Sequence, residues 1–154
     1  MLIVGCGCRG LTLVRGLRQD GLSVRGTTRD PARVKEIEAA GAEGVVADPD
    51  RLATLVPHLT GVAVICWLMG GAVGGSSAAV NGPRLATLLE RIVDTPVRGV
   101  VYEAAGAAGP EVLEGGARLV AEAADRWLLP VAVVRAGEDG WLEAMRAAVG
   151  RVLA

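Results

Sequence analysis

Leu2-Ile3-Val4-Gly5-Cys6-Gly7-Cys8-Arg9-Gly10 sets an apolar triplet against a glycine cluster and then runs straight into Leu11, Leu13, Val14 and Leu17. An unbroken apolar run of this kind suits a strand buried on both faces. The leucines and valine that follow recur at helical spacing, and Gly21 closes that stretch. Strand, glycine turn and helix therefore succeed one another within about twenty residues. The glycines stand as G-x-G-x-x-G. In that spacing the first permits a tight turn, the second clears a path for a ligand to approach the backbone, and the third lets helix and strand pack closely.

The same alternation continues outward. Residues 22–28 read as a second strand. Asp30-Pro31 supplies an N-cap and first helical residue for a helix reaching Ala40, and Val45-Val46-Ala47 reads as a third strand. Leu52, Leu55, Val56 and Leu59 fall on one helical face, and residues 62–67 form a fourth strand. Leu85, Leu88, Leu89 and Ile92 repeat the helical pattern before a fifth strand at 97–102. A helix carrying Val120, Ala123, Ala124 and Trp127 precedes Pro130. A sixth strand at 131–134 and a closing helix through Trp141, Met145, Ala148, Val149 and Val152 complete the pattern. Strict alternation of this kind implies an α/β class, with a parallel sheet, right-handed crossovers and helices on both faces. The expectation is one doubly wound domain over residues 1–154, with six strands in the order 3-2-1-4-5-6. Residues 68–82 break the rhythm. They are rich in Gly, Ala and Ser, lack periodicity, and read as a long mobile loop of functional interest.

A glycine turn between a strand and a helix N-terminus is suited to a pyrophosphate, because the helix offers free N–H groups and the positive end of its dipole. Gly5, Gly7, Cys8, Arg9 and Gly10 are thus candidate dinucleotide-binding residues. A chain that selects NAD places an acid about twenty residues further on for the ribose 2′-hydroxyl. Here that region reads Val24-Arg25-Gly26-Thr27-Thr28-Arg29, with no acid. Thr28 and Arg29 can instead hold a 2′-phosphate, which favours NADP over NAD. Asp30 stands next to Pro31 and reads first as a helix cap.

The glycine motif, the Val24–Arg29 stretch and Val46-Ala47-Asp48 together resemble the atypical and extended short-chain dehydrogenase/reductases, among them the epimerase/dehydratase-like and NmrA-like Rossmann proteins. The resemblance is strongest over residues 1–67 and thins towards residue 137. It implies that Asp48 and Pro49 border the adenine, while Trp67 and Leu68 line the ribose on the nicotinamide side. For Asp48, capping of the following turn is an equal alternative, and the two roles are compatible.

That family's chemistry depends on a Tyr-x-x-x-Lys pair and a Ser or Thr after the fifth strand, the tyrosine exchanging the proton. Tyr102 is the only tyrosine and falls within the fifth strand, and Lys35 is the only lysine and falls in the second helix. After the fifth strand the chain reads Glu103-Ala104-Ala105-Gly106. Glu103 reads as a solvated loop carboxylate, with a base role as the alternative. Only residues 136–154 follow the sixth strand, so the chain looks like a truncated member. Its substrate pocket is expected to be small, absent, or completed by a second copy or another chain over the nicotinamide end. The favoured reading is an NADP-binding protein with a binding or regulatory role and no catalytic residues of the family kind. The alternatives are a small reductase or epimerase-like enzyme, and an interaction module that has lost its cofactor.

Composition narrows the field. The chain has 154 residues, 51% hydrophobic and 21% charged, and a net charge of −1, which gives no basic surface for nucleic acid. Cys6, Cys8 and Cys66 make neither a disulfide framework nor a zinc set. Cys8, at a helix start, reads either as a reactive thiol or as a small loop filler. No charged leader is evident, and the most apolar stretch, residues 61–80, is interrupted by five glycines and two serines. A cytoplasmic protein without a membrane span is expected.

Overall fold

The computed structural model describes all residues, Met1–Ala154. Six strands, β1 (Leu2–Val4), β2 (Arg25–Thr28), β3 (Glu43–Val46), β4 (Val64–Trp67), β5 (Gly99–Glu103) and β6 (Val131–Val134), form one sheet. Every pairing is parallel and the order is β3-β2-β1-β4-β5-β6, as the alternation implied. The helices are α1 (Cys8–Gln19), α2 (Val34–Ala39), α3 (Gly75–Val80), α4 (Pro83–Ile92), α5 (Pro110–Trp127) and α6 (Trp141–Leu153). Helices α1, α2 and α6 cover one face, and α3, α4 and α5 cover the other. No helix is long and apolar enough to cross a membrane.

Side chains of a strand alternate between faces, and the two cores follow that rule. Ile3, Val64, Cys66 and Val101 enter the core beneath α1 and α6, with Leu13, Leu17, Met145 and Val149. Leu2, Val4, Ile65, Trp67, Val100 and Tyr102 enter the core beneath α4 and α5, with Leu85, Leu88, Leu89, Ile92 and Val120. The central strands are buried on both faces, which is why they read as unbroken apolar runs.

Three local expectations change. The helix expected over Leu52 to Leu59 is a pair of short 3-10 turns, Leu52–Thr54 and Val56–His58. Pro57 has no N–H to give the Ala53 carbonyl, and its ring would clash there, so the chain tightens into 3-10 turns that still bury Leu55 and Leu59. The second helix begins as a 3-10 turn, Pro31–Arg33, before α2. Asp30 caps that turn, accepting from Ala32 N–H at 2.9 Å. Residues 68–82 are not an unstructured loop, because α3 lies within them.

Asn81 secures the far end of that segment. Its amide nitrogen donates to the carbonyls of Met69 (3.1 Å) and Ser77 (3.0 Å), and its Oδ1 accepts from the Tyr102 hydroxyl at 2.9 Å. Tyr102 is fully buried, and burial raises its phenol above the ordinary range. Tyr102→Phe would leave the Asn81 oxygen unpaired in the core, at a cost of about 1–3 kcal/mol. Thermal unfolding should then occur roughly 2–4 °C lower for each kcal/mol lost. An unchanged midpoint would mean that this hydrogen bond does not hold the segment.

Candidate functional site

The C-terminal ends of β1, β2 and β4 open into a cavity of about 570 Å³, within the range of small-molecule sites. Its position follows from the strand order. The connections from β1 and β4 depart to opposite faces, and the crevice between them is where open α/β sheets bind ligands. The glycine loop forms its floor. Gly5 has φ +93°, and a Cβ there would lie 2.5 Å from the Leu68 carbonyl oxygen, so only glycine fits. A Cβ on Gly10 would lie 2.8 Å from the Gly5 oxygen, the close helix–strand approach expected of the third glycine.

No side chain caps α1, and the amides of Cys8, Arg9 and Gly10 have no partner in the chain. Three N–H groups at the positive end of a helix therefore face the cavity. Gly5 N–H is held by the Thr27 hydroxyl (3.3 Å) and Cys6 N–H by the Thr27 carbonyl (3.0 Å), which fixes the loop on β2.

Ten of the eleven residues expected at the site line this one cavity. Gly5, Gly7, Cys8, Arg9 and Gly10 come from the loop, Thr28 and Arg29 from the end of β2, Asp48 and Pro49 from beyond β3, and Leu68 from beyond β4. Trp67 does not reach it. Its ring is fully buried in the core under α4 and α5, with Nε1 donating to the Val80 carbonyl at 3.1 Å. Strand alternation sends residue 67 into that core, so the expectation that it lines the cavity is corrected. Asp48 caps a turn, its Oδ1 accepting from Asp50 N–H at 2.9 Å, while also lining the cavity.

Arg33 was missed. It lines the same end of the cavity as Arg29, and Glu36 holds its guanidinium through contacts of 3.0 and 3.2 Å. The available signal was its place four residues after Arg29, in the turn opened by Pro31. Arg29 itself is exposed and makes no ion pair.

Glu103 also departs from expectation. It is the last residue of β5, 1% exposed, and not a solvated loop carboxylate. Its Oε1 pairs with Arg9 Nη1 at 2.8 Å, and its Oε2 accepts from Gly70 N–H at 3.2 Å. Both oxygens are thus engaged, one by a side chain and one by the main chain. No three metal-ligating side chains cluster in the structure.

The three thiols differ sharply. Burial pushes Cys6 and Cys66 up to about 12, whereas Cys8 is exposed at the cavity floor. A thiol reagent should titrate one group rapidly in the folded protein, lost in Cys8→Ser, and the other two only after unfolding. Rapid reaction of two or more thiols in the native protein would contradict this burial pattern.

No protein-family model and no curated protein matches the sequence. Solved structures do match the fold. A UDP-glucuronic acid 4-epimerase from Bacillus cereus, in complex with NAD, is 17% identical with a TM-score of 0.68, over 87% of this chain and 54% of that one. A metagenomic short-chain oxidoreductase in complex with NADP is 21% identical with a TM-score of 0.68, over 99% of this chain and 90% of that one. The fold is that of these Rossmann proteins. A UDP-glucose 4-epimerase from Thermotoga maritima shares it too, at 14% identity and a TM-score of 0.70, over 87% and 54% of the two chains. The present Rossmann chain spans about half the length of the epimerases, and nearly the whole length of the metagenomic oxidoreductase.

Proposed function

We propose that residues 1–154 form one domain that binds a nicotinamide dinucleotide, NADP(H) in preference to NAD(H), in a binding or regulatory role. The observation that carries this reading is the row of unpartnered amides at Cys8, Arg9 and Gly10 facing a cavity that runs from Asp48 to Glu103. A pyrophosphate supplies the acceptors those amides lack. The adenosine half then lies over the β2 and β3 ends, between Arg29 and Asp48, and the nicotinamide half over β4 and β5, towards Glu103. At the ribose position stand Thr28, Arg29 and Arg33 and no free acid, since Asp30 is committed to capping Ala32. A 2′-phosphate fits this cationic corner, and the solved oxidoreductase of similar length holds NADP.

Against dehydrogenase chemistry of the short-chain kind stands the state of its two key residue types. The Tyr102 hydroxyl is buried and bonded to Asn81, and Lys35 lies on α2. A bound cofactor would supply a hydride, but neither the tyrosine nor the lysine is placed at the cavity to exchange the accompanying proton. Titration with NADPH and NADH tests the reading. The expected preference for NADPH is about tenfold to a hundredfold, from one charge-assisted contact worth about 1.5–3 kcal/mol. Arg29→Ala should remove most of it. Equal affinities would overturn the preference, and NADPH oxidation with aldehydes, ketones or quinones well above background would overturn the non-catalytic role.

A further inference from the structure

One carboxylate joins two walls of the cavity. Glu103 is buried at the end of β5, and its two oxygens serve different segments: Oε1 takes Arg9 from the first turn of α1, and Oε2 takes the Gly70 amide from the start of segment 68–82. Both attachments are tight. A Cβ on Gly70 would lie 2.0 Å from the Ala105 oxygen and 2.9 Å from Glu103 Oε2, and the Gly70 carbonyl accepts from Ala108 N–H at 2.9 Å. On the other side the Arg9 guanidinium lies 5.5 Å from the centre of the Trp141 ring, at the first residue of α6. The adenosine end has no part in this network. Thr28 bonds to Asp30, and Asp48 to Asp50 and Thr54.

Burying a charge is costly even when it is paired, and well-packed apolar groups often serve stability as well or better. A buried carboxylate, paired with a partly exposed arginine and with contacts that reach two cavity walls, thus points to geometry as its role. We infer that Glu103 is a positioning residue for the nicotinamide half of the site: through Arg9 and the Gly70 amide it sets the spacing between α1 and segment 68–73. The inference rests on the dinucleotide reading above. It separates the two halves of the ligand, because the adenosine half meets neither the Glu103 carboxylate, the Arg9 guanidinium nor Gly70; its 5′-phosphate reaches only the Arg9 main-chain N–H, which Arg9→Met retains.

Calorimetric titration of the full chain with NADPH and with adenosine 2′,5′-bisphosphate tests it, in the wild type and in Glu103→Gln, Arg9→Met and Gly70→Ala. The expected result is NADPH binding weakened roughly tenfold or more in each variant, with the bisphosphate within about twofold of wild type. Amide exchange at Gly70 should also quicken in Glu103→Gln while the strands keep their protection. Equal losses for both ligands would mark a merely structural role and overturn the inference, as would no loss for either. If Glu103→Gln does not fold, Arg9→Met and Gly70→Ala carry the same comparison. Failure of all three to fold would assign the carboxylate to stability and overturn the inference as well. Wild-type protein that binds neither ligand would overturn the dinucleotide reading and this inference with it, whereas wild-type binding without the split overturns the inference alone.

Discussion

Gly7→Val should bind NADPH at least a hundredfold more weakly than the wild type while remaining folded. Gly7 has φ −79° and ψ −156°, a conformation open to any residue, and a Cβ built there meets no atom within 4 Å. The protein therefore does not object to the side chain. The isopropyl group instead occupies the space in front of the Cys8, Arg9 and Gly10 amides. Losing two or more charge-assisted contacts, each worth about 1.5–3 kcal/mol, gives a loss of that size. The neighbouring glycines should behave differently: Gly10→Val drives a side chain against the Gly5 oxygen and should destabilise the fold itself. Calorimetry with circular dichroism as the folding control separates the two cases. Undiminished affinity in folded Gly7→Val would reduce the glycine loop to a turn.

Trp67→Ala should have the largest effect on stability, about 3–5 kcal/mol. At roughly 2–4 °C per kcal/mol for a chain of this size, thermal unfolding would fall by about 6–20 °C. The ring is fully enclosed by the core under α4 and α5, and its Nε1 is paired with the Val80 carbonyl. Trp67→Phe should recover part of the loss, keeping an aromatic ring but leaving the Val80 oxygen without its donor. Measured well below the unfolding temperature, NADPH affinity should change little in Trp67→Phe. A large loss of affinity at undiminished stability would return the indole to the binding site.

Much of the architecture was legible because it rests on local pattern. Continuous apolar triplets and quartets mark strands covered on both faces, and the 3.6-residue stripes between them mark the covering helices. Their alternation leaves little freedom in topology, since parallel crossovers are right-handed. The glycine loop was legible for a similar reason: its steric demands arise within six residues, and both Gly5 and Gly10 sit where a Cβ would collide. The helix over residues 52–59 was misread because the apolar spacing outweighed Pro57, whose missing N–H decides the local geometry.

The amino-acid sequence by itself determined the six-stranded Rossmann order, the uncapped helix N-terminus behind the glycines, and the lack of an acid at the end of β2. Each depends on neighbours along the chain. Only the tertiary structure decided the fate of Trp67, Glu103 and Arg33. The pleat sends Trp67 into a core rather than a cavity, and no local feature reveals which face of β4 lies beneath the ligand crevice. Glu103 looked solvated because its partners, Arg9 and Gly70, are 94 and 33 residues away. A buried charge is tolerated only when distant segments bring compensating groups to it, and that meeting exists only in the folded chain.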